Sequence, residues 1–159
     1  MSKPRKKYRP KPVKTCTIQL AAQGRALLSK EDQEAKAAPV REAVAFIAQG
    51  KGAKAHWSAI FDAVNMIEQF NQMPQGMTGA RDYIESMQAV IVAILDRAKE
   101  GKRALYPSEL EDLRGFAELW ADVLSTVTHR DFYVCETKTH QRLVQVIRTG
   151  KGIKVLEAA

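Results

Sequence analysis

Between residues 54 and 72 the large apolar side chains fall at Trp57, Ile60, Phe61, Val64, Ile67 and Phe70, intervals of three and four that follow the turn of an α-helix. A second ladder of the same period runs Leu110, Leu113, Phe116, Leu119, Trp120, Val123, Leu124 and Val127. It is opened by Pro107 with Ser108, Glu109, Glu111 and Asp112. Proline has no N–H to lose in a first turn, and carboxylates there oppose the positive end of the helix dipole. A third stripe, Tyr83, Ile84, Met87, Ile91, Ile94 and Leu95, predicts a helix over 79–99, with Thr78 as its cap. Its end is marked by Arg97, Lys99, Lys102 and Arg103 around Gly101, where the dipole favours cations and glycine accepts the left-handed conformation.

The remaining segments are less regular. Residues 17–28 predict a short first helix interrupted by Gly24. Ser29 followed by Asp32 has the form of a helix start, but Pro39 is expected to end that turn and begin a separate helix over 39–49, closed by Gly50 and Gly52. The stretch NQMPQGMTG at 71–79 is a break. THRDFYVC at 128–135 suits either a helical continuation or a β-prone connector and is read as a connector, leaving a final helix over 137–149 with Leu143, Val144 and Ile147 as its stripe. Hairpin signals and β–α–β alternation are absent. The expected fold is all-α: a single bundle of five to six helices over residues 17–159, behind an extended basic arm at 1–16.

Composition agrees with that reading. A chain of 159 residues, 45% hydrophobic and 27% charged, can bury a core as one globular domain. No run of apolar residues is long enough for a membrane span, and the segment 18–28 is broken by Gln19, Gln23 and Arg25, which removes the apolar stretch a secretory signal needs. With two cysteines, Cys16 and Cys135, no disulfide scaffold is expected and a cytoplasmic setting follows.

Charge changes the picture more. Of the net +7, residues 1–14 supply seven cations (Lys3, Arg5, Lys6, Lys7, Arg9, Lys11 and Lys14) and no acid. Residues 15–137 hold 13 Lys/Arg against 17 Asp/Glu, and residues 138–159 hold five cations against Glu157. The ends are basic around a mildly acidic body, a distribution suited to a polyanionic partner. Pro4, Pro10 and Pro12 oppose helix, and dense like charge repels, so the arm is expected to be extended, reaching roughly 40 Å at about 3.1 Å per residue. Tyr8 is the one aromatic in it, placed to stack on a base or fill a partner's pocket. QGKGAK (49–54) and TGKGIK (149–154) share a GKGxK pattern. They read first as helix stops, and as phosphate contacts through Lys151 and Lys154 at the C-terminal end if they do more.

Catalytic chemistry is not expected. His129, Cys135 and His140, even with Cys16 or His56, lack the paired spacing of a zinc site and the base-plus-orienter arrangement of a thiol nucleophile. Neither a Walker pattern nor a GxGxxG turn is present. No cofactor and no metal are expected.

The opening KPRKKYRPKPV, the segment FIAQGKGAKAHWSAIFDAVNMIEQF (46–70) with its Val64–Asn65–Met66 triplet, and the proline-started helix at 107 together resemble a group of small helical proteins encoded by phages and prophages. The resemblance covers most of the chain apart from the region Lys36–Arg41 and brings no catalytic residue with it. It implies a bacterial cytoplasm, where such accessory proteins bind nucleic acid or block a host machine. The expectation is a non-enzymatic protein that binds DNA or RNA through Lys3, Arg5, Lys6, Lys7, Tyr8, Arg9, Lys11 and Lys14, with Lys151 and Lys154 adding to the surface and the body positioning the arm or self-associating. The alternative is an inhibitor or adaptor of the anti-defence type that binds a nucleic-acid-handling host protein.

Overall fold

A computed structural model of the chain describes residues 24–73, 80–102 and 104–149. These form five helices and no strand: α1 (Lys30–Ala48), α2 (Lys54–Asn71), α3 (Ala80–Lys99), α4 (Pro107–Thr126) and α5 (His129–Thr149). The first four close into a ring in which α1 and α3 each touch both α2 and α4, while α2 meets α4 across the middle; α5 lies outside the ring, on α2. The strongest periodic stripes point into one core. Ile60, Ile67, Ile91, Leu113 and Leu124 have no exposure, and Trp57, Phe70, Phe116 and Trp120 are buried around them. Phe61, Leu110 and Leu119 are only half-buried, and Tyr83, expected on the stripe of α3, sits exposed at its rim.

Two of the helix ends are set by the same device. In Gly50 and Gly101 φ is +70° and +83°, a conformation side chains disfavour. Gly50 N–H donates to the Ile47 carbonyl and Lys51 N–H to that of Phe46, both at 2.9 Å. Gly101 and Lys102 repeat the pattern on Ala98 and Arg97 at 3.0 Å. Both are complete Schellman closures, which satisfy carbonyls the helix leaves orphaned.

The N-terminal half of the chain departs from expectation in two places. Residues 24–28 are extended, not helical: Leu28 N–H donates to the Val127 carbonyl, and His129 N–H to that of Ala26, each at 3.0 Å. Leu28 is buried while Leu27 beside it is 56% exposed, as successive side chains of an extended strip face opposite ways. Residues 17–23 lie outside the described residues, as does Thr78. Pro39 does not divide the segment; a single helix runs through it. Ser29 caps that helix, its hydroxyl accepting from Asp32 N–H at 3.1 Å. Pro39 is on the solvent side, where the carbonyl it leaves free, that of the exposed Ala35, can be hydrated. Arg41 reaches back over it to both oxygens of Glu34 at 2.8 Å. Burial of Ala37, Val40, Ala43, Val44 and Ile47 on one face holds the helix together across the break.

The third correction concerns 128–135, which is the start of α5 and not a connector. Thr128 accepts from Asp131 N–H at 3.1 Å and donates to the Asp131 carboxylate at 2.7 Å, so Thr-x-x-Asp caps the helix. Phe132 and Cys135 then face the core one turn apart. The stripe expected further along fails to bury: Leu143 is 38% and Ile147 73% exposed.

Candidate nucleic-acid interface

The residues assigned to nucleic acid from the sequence, Lys3, Arg5, Lys6, Lys7, Tyr8, Arg9, Lys11, Lys14, Lys151 and Lys154, all lie outside the described residues. What the structure supplies is the segment through which the chain N-terminal to Gly24 enters the body. Gly24–Leu28 runs antiparallel to the turn between α4 and α5, held by the bonds to Val127 and His129 and by Arg130 N–H on the Gly24 carbonyl at 3.3 Å. Leu28 plugs into the core beside this turn. Chain N-terminal to Gly24 therefore starts from a fixed point next to the first turn of α5.

The charges around that point are mixed, and their pairing decides what is left over. His129 Nε2 is 3.9 Å from the Asp32 carboxylate. That carboxylate is held below its ordinary range, first by the Ser29 hydroxyl and then by His129 and Lys36. Asp131 is occupied by the Thr128 cap. Lys36 is spent on packing, its Nζ lying 3.9 Å from the centre of the Phe132 ring. Arg25, Lys30 and Arg130 are exposed and form no ion pair with any described residue. Sequence reading did not single them out, because only the backbone pairing of 24–28 with 127–130 shows that Arg25 and Arg130 lie on neighbouring segments.

The GKGAK turn at 50–54 behaves as a helix stop. The N–H groups of Gly50 and Lys51 are taken by the Schellman closure, and Ala53 N–H donates to His56 Nδ1 at 2.9 Å. His56 stacks on Phe46 with ring centroids 4.7 Å apart, which fixes the acceptor in place. With those donors committed, the turn is not organised as a phosphate cradle. Gly52 serves packing: a Cβ there would come within 2.9 Å of Ile47 Cγ1.

No catalytic grouping forms among the described residues. Cys135 has no exposure, its thiol donates to Met73 Sδ at 3.8 Å, and burial pushes that thiol up to about 11. His129 faces Asp32, His56 caps a backbone N–H, and His140 is exposed on α5, so the three are dispersed. No group of three His, Cys, Asp or Glu side chains among the described residues could hold a metal ion. A cleft of about 400 Å3 between α2 and α3 is lined by Glu68, Asn71, Gln72, Arg81 and Glu85. Its carboxylates are already paired, Glu68 with Arg142 and Glu85 with Arg81. No helix of the described residues is long and apolar enough to cross a membrane.

One ionic pair inside the fold was missed by sequence reading. Glu109, read as a surface carboxylate compensating a dipole, is buried and makes a two-pronged pair with Arg97, the side chains being 10% and 20% exposed. It also accepts from Tyr106 N–H at 2.8 Å, closing the start of α4, while Tyr106 stacks over the guanidinium at 4.2 Å. The pair ties the end of α3 to the start of α4 and is structural. Comparison with family models, curated proteins and solved structures gives no match to this chain.

Proposed function

We propose that this is a non-enzymatic accessory protein, of the phage and prophage type its sequence resembles, that associates with nucleic acid through its basic N-terminal arm. The observation that carries the reading is the charge segregation: seven cations and no acid within residues 1–14, joined to a stretch of 123 residues with four more acids than bases. Such an arm follows phosphates, and the body fixes where it begins. Arg25, Lys30 and Arg130 at its root extend the same path. Support from the body is indirect: among the described residues, two helix ends, His56, His129 and Cys135 are accounted for by capping, pairing and burial. Recognition rests on backbone charge with stacking by Tyr8, and both DNA and RNA qualify as ligands.

The experiment is capture of partners from a bacterial lysate by the purified full chain, with and without nuclease. Nucleic acid in the untreated eluate, lost together with its bound proteins after nuclease, supports the reading. A protein retained equally under both conditions would replace it with a host-protein inhibitor or adaptor.

A further inference from the structure

Helix α5 carries two ladders one residue apart. Phe132, Cys135, Thr139, Arg142 and Val146 repeat at three and four, and so do Tyr133, Glu136, His140, Leu143 and Ile147. The first ladder is the docked one. Phe132 lies 6.4 Å ring to ring from Phe70, Cys135 touches Met73, Thr139 touches Met66 at 3.6 Å, and Arg142 pairs with Glu68 at 2.9 Å. Every one of those partners is on or just after α2; beyond the first turn, where Lys36 of α1 lies over Phe132 and Asp32 faces His129, no other described helix packs along α5. The second ladder, rotated by about 100°, is left outward: Tyr133 and Leu143 are 38% exposed, Ile147 is 73% exposed, and Glu136 and His140 are exposed. Its apolar members, Tyr133, Leu143 and Ile147, stand at positions that a helix paired side by side would cover, with Glu136 and His140 between them.

We infer that this outer ladder is a self-association surface on which α5 of a second copy lies antiparallel. Charge decides the occupant. Beyond Arg130 in the first turn, the positions flanking the ladder are Thr137, Thr139, Val144 and Val146, all neutral, whereas Lys138, Arg142 and Arg148 fall on positions that point away from a helix seated there. From Tyr133 to Ile147 a like-charged copy therefore meets no repulsion along the seam, and an acidic partner helix would find a flanking cation only at Arg130. The order of the ladder also fits its own reverse. With Tyr133 set against Leu143 of the second copy, Glu136 falls against His140 and Ile147 against His129, and each contact recurs by the two-fold axis. Parallel pairing would instead oppose Glu136 to Glu136. A single helix pair lies at the small end of stable interfaces, so the dimer is reversible and depends on concentration.

Sedimentation equilibrium of the nuclease-treated full chain, in enough salt to strip residual nucleic acid and from micromolar toward millimolar concentration, tests this. The expected result is a mass rising from 17.7 kDa toward twice that value. Leu143→Asp should weaken association by at least about tenfold, by placing a charge in an apolar contact. Its circular dichroism and melting should be unchanged, because the side chain is partly solvated in the monomer. Glu136→Lys and His140→Glu should each weaken the dimer, and the double variant should recover it. A chain monomeric at every concentration, a dimer indifferent to Leu143→Asp, or a double variant weaker than both singles would overturn the assignment.

Discussion

The indole N–H of Trp120 donates to the backbone carbonyl of Lys36 at 3.1 Å, a bond between α4 and α1 across 84 residues of sequence. Trp120 is 4% exposed and faces Phe70 with ring centroids 6.5 Å apart, so one side chain links three helices of the ring. Replacing it by Ala should cost about 3–5 kcal/mol in chemical denaturation, through lost burial and the cavity left behind. Trp120→Phe keeps much of the volume but leaves the Lys36 carbonyl without its donor and should cost about 1 kcal/mol more than the area lost accounts for. An Ala variant within 1 kcal/mol of wild type would contradict the packing described.

The Arg97–Glu109 pair sets a pH dependence. The guanidinium bond, and then the Tyr106 N–H, hold the Glu109 carboxyl below its ordinary 4.5. A depressed folded value means that the unfolded chain binds the proton first, so the pair's contribution is complete above the ordinary range and is lost as pH falls through the folded value. Wild type should therefore lose stability on acidification more steeply than Glu109→Gln, and the two melting curves should converge toward low pH. Parallel acid limbs in a thermal-melt series from neutral to acid pH would refute this role.

Pro39 interrupts α1 on its exposed side without ending it. The helix forgoes one backbone bond, and the buried face made by Val40, Ala43, Val44 and Ile47 outweighs that loss. Pro39→Ala restores a donor at a solvent-facing position and should raise stability by about 1–2 kcal/mol, less than the full helix-interior penalty because proline also restricts the unfolded chain. A lowered thermal midpoint would show that the proline shapes the packing of α1.

Three helices were legible in the sequence because their stripes are long and their ends carry redundant signals. Pro107 with its acids opens α4, and Gly101 among cations closes α3. The errors share a cause: a local rule was outvoted by contacts distant in sequence. Proline at 39 normally stops a helix, but the apolar face beneath it continues; THRDFYVC is β-prone in isolation, yet Phe132 and Cys135 are buried beside α2, and Thr128 with Asp131 supplies a cap that was overlooked. Residues 24–28 pair with backbone a hundred positions later, which no window of sequence reveals. Of the candidate interface, the arm's charge was readable directly, whereas the pairing that brings the segment of Arg25 beside that of Arg130 required the fold.

Cys135 should resist alkylation in the native protein. With no exposure and a thiol raised to about 11, it holds little thiolate at neutral pH. Mass spectrometry after iodoacetamide treatment should find Cys135 unmodified in buffer and modified in denaturant. Rapid labelling of the folded chain would argue that α5 detaches from α2 readily.

The measurement closest to the central claim is the salt dependence of nucleic-acid affinity, for the full chain and for a variant lacking residues 2–14. If about five of the arm's seven cations contact duplex phosphates, log K against log salt should fall with a slope of about −4 to −5. The deletion should flatten that slope by about the same amount, with a nearly unchanged thermal midpoint, since the core described here is built from Leu28 onward. Tyr8→Ala should weaken single-strand binding by roughly 1–3 kcal/mol and leave the slope alone. A deletion variant that binds DNA and RNA as tightly as the full chain, with the same slope, would contradict the account and assign the arm to a protein partner.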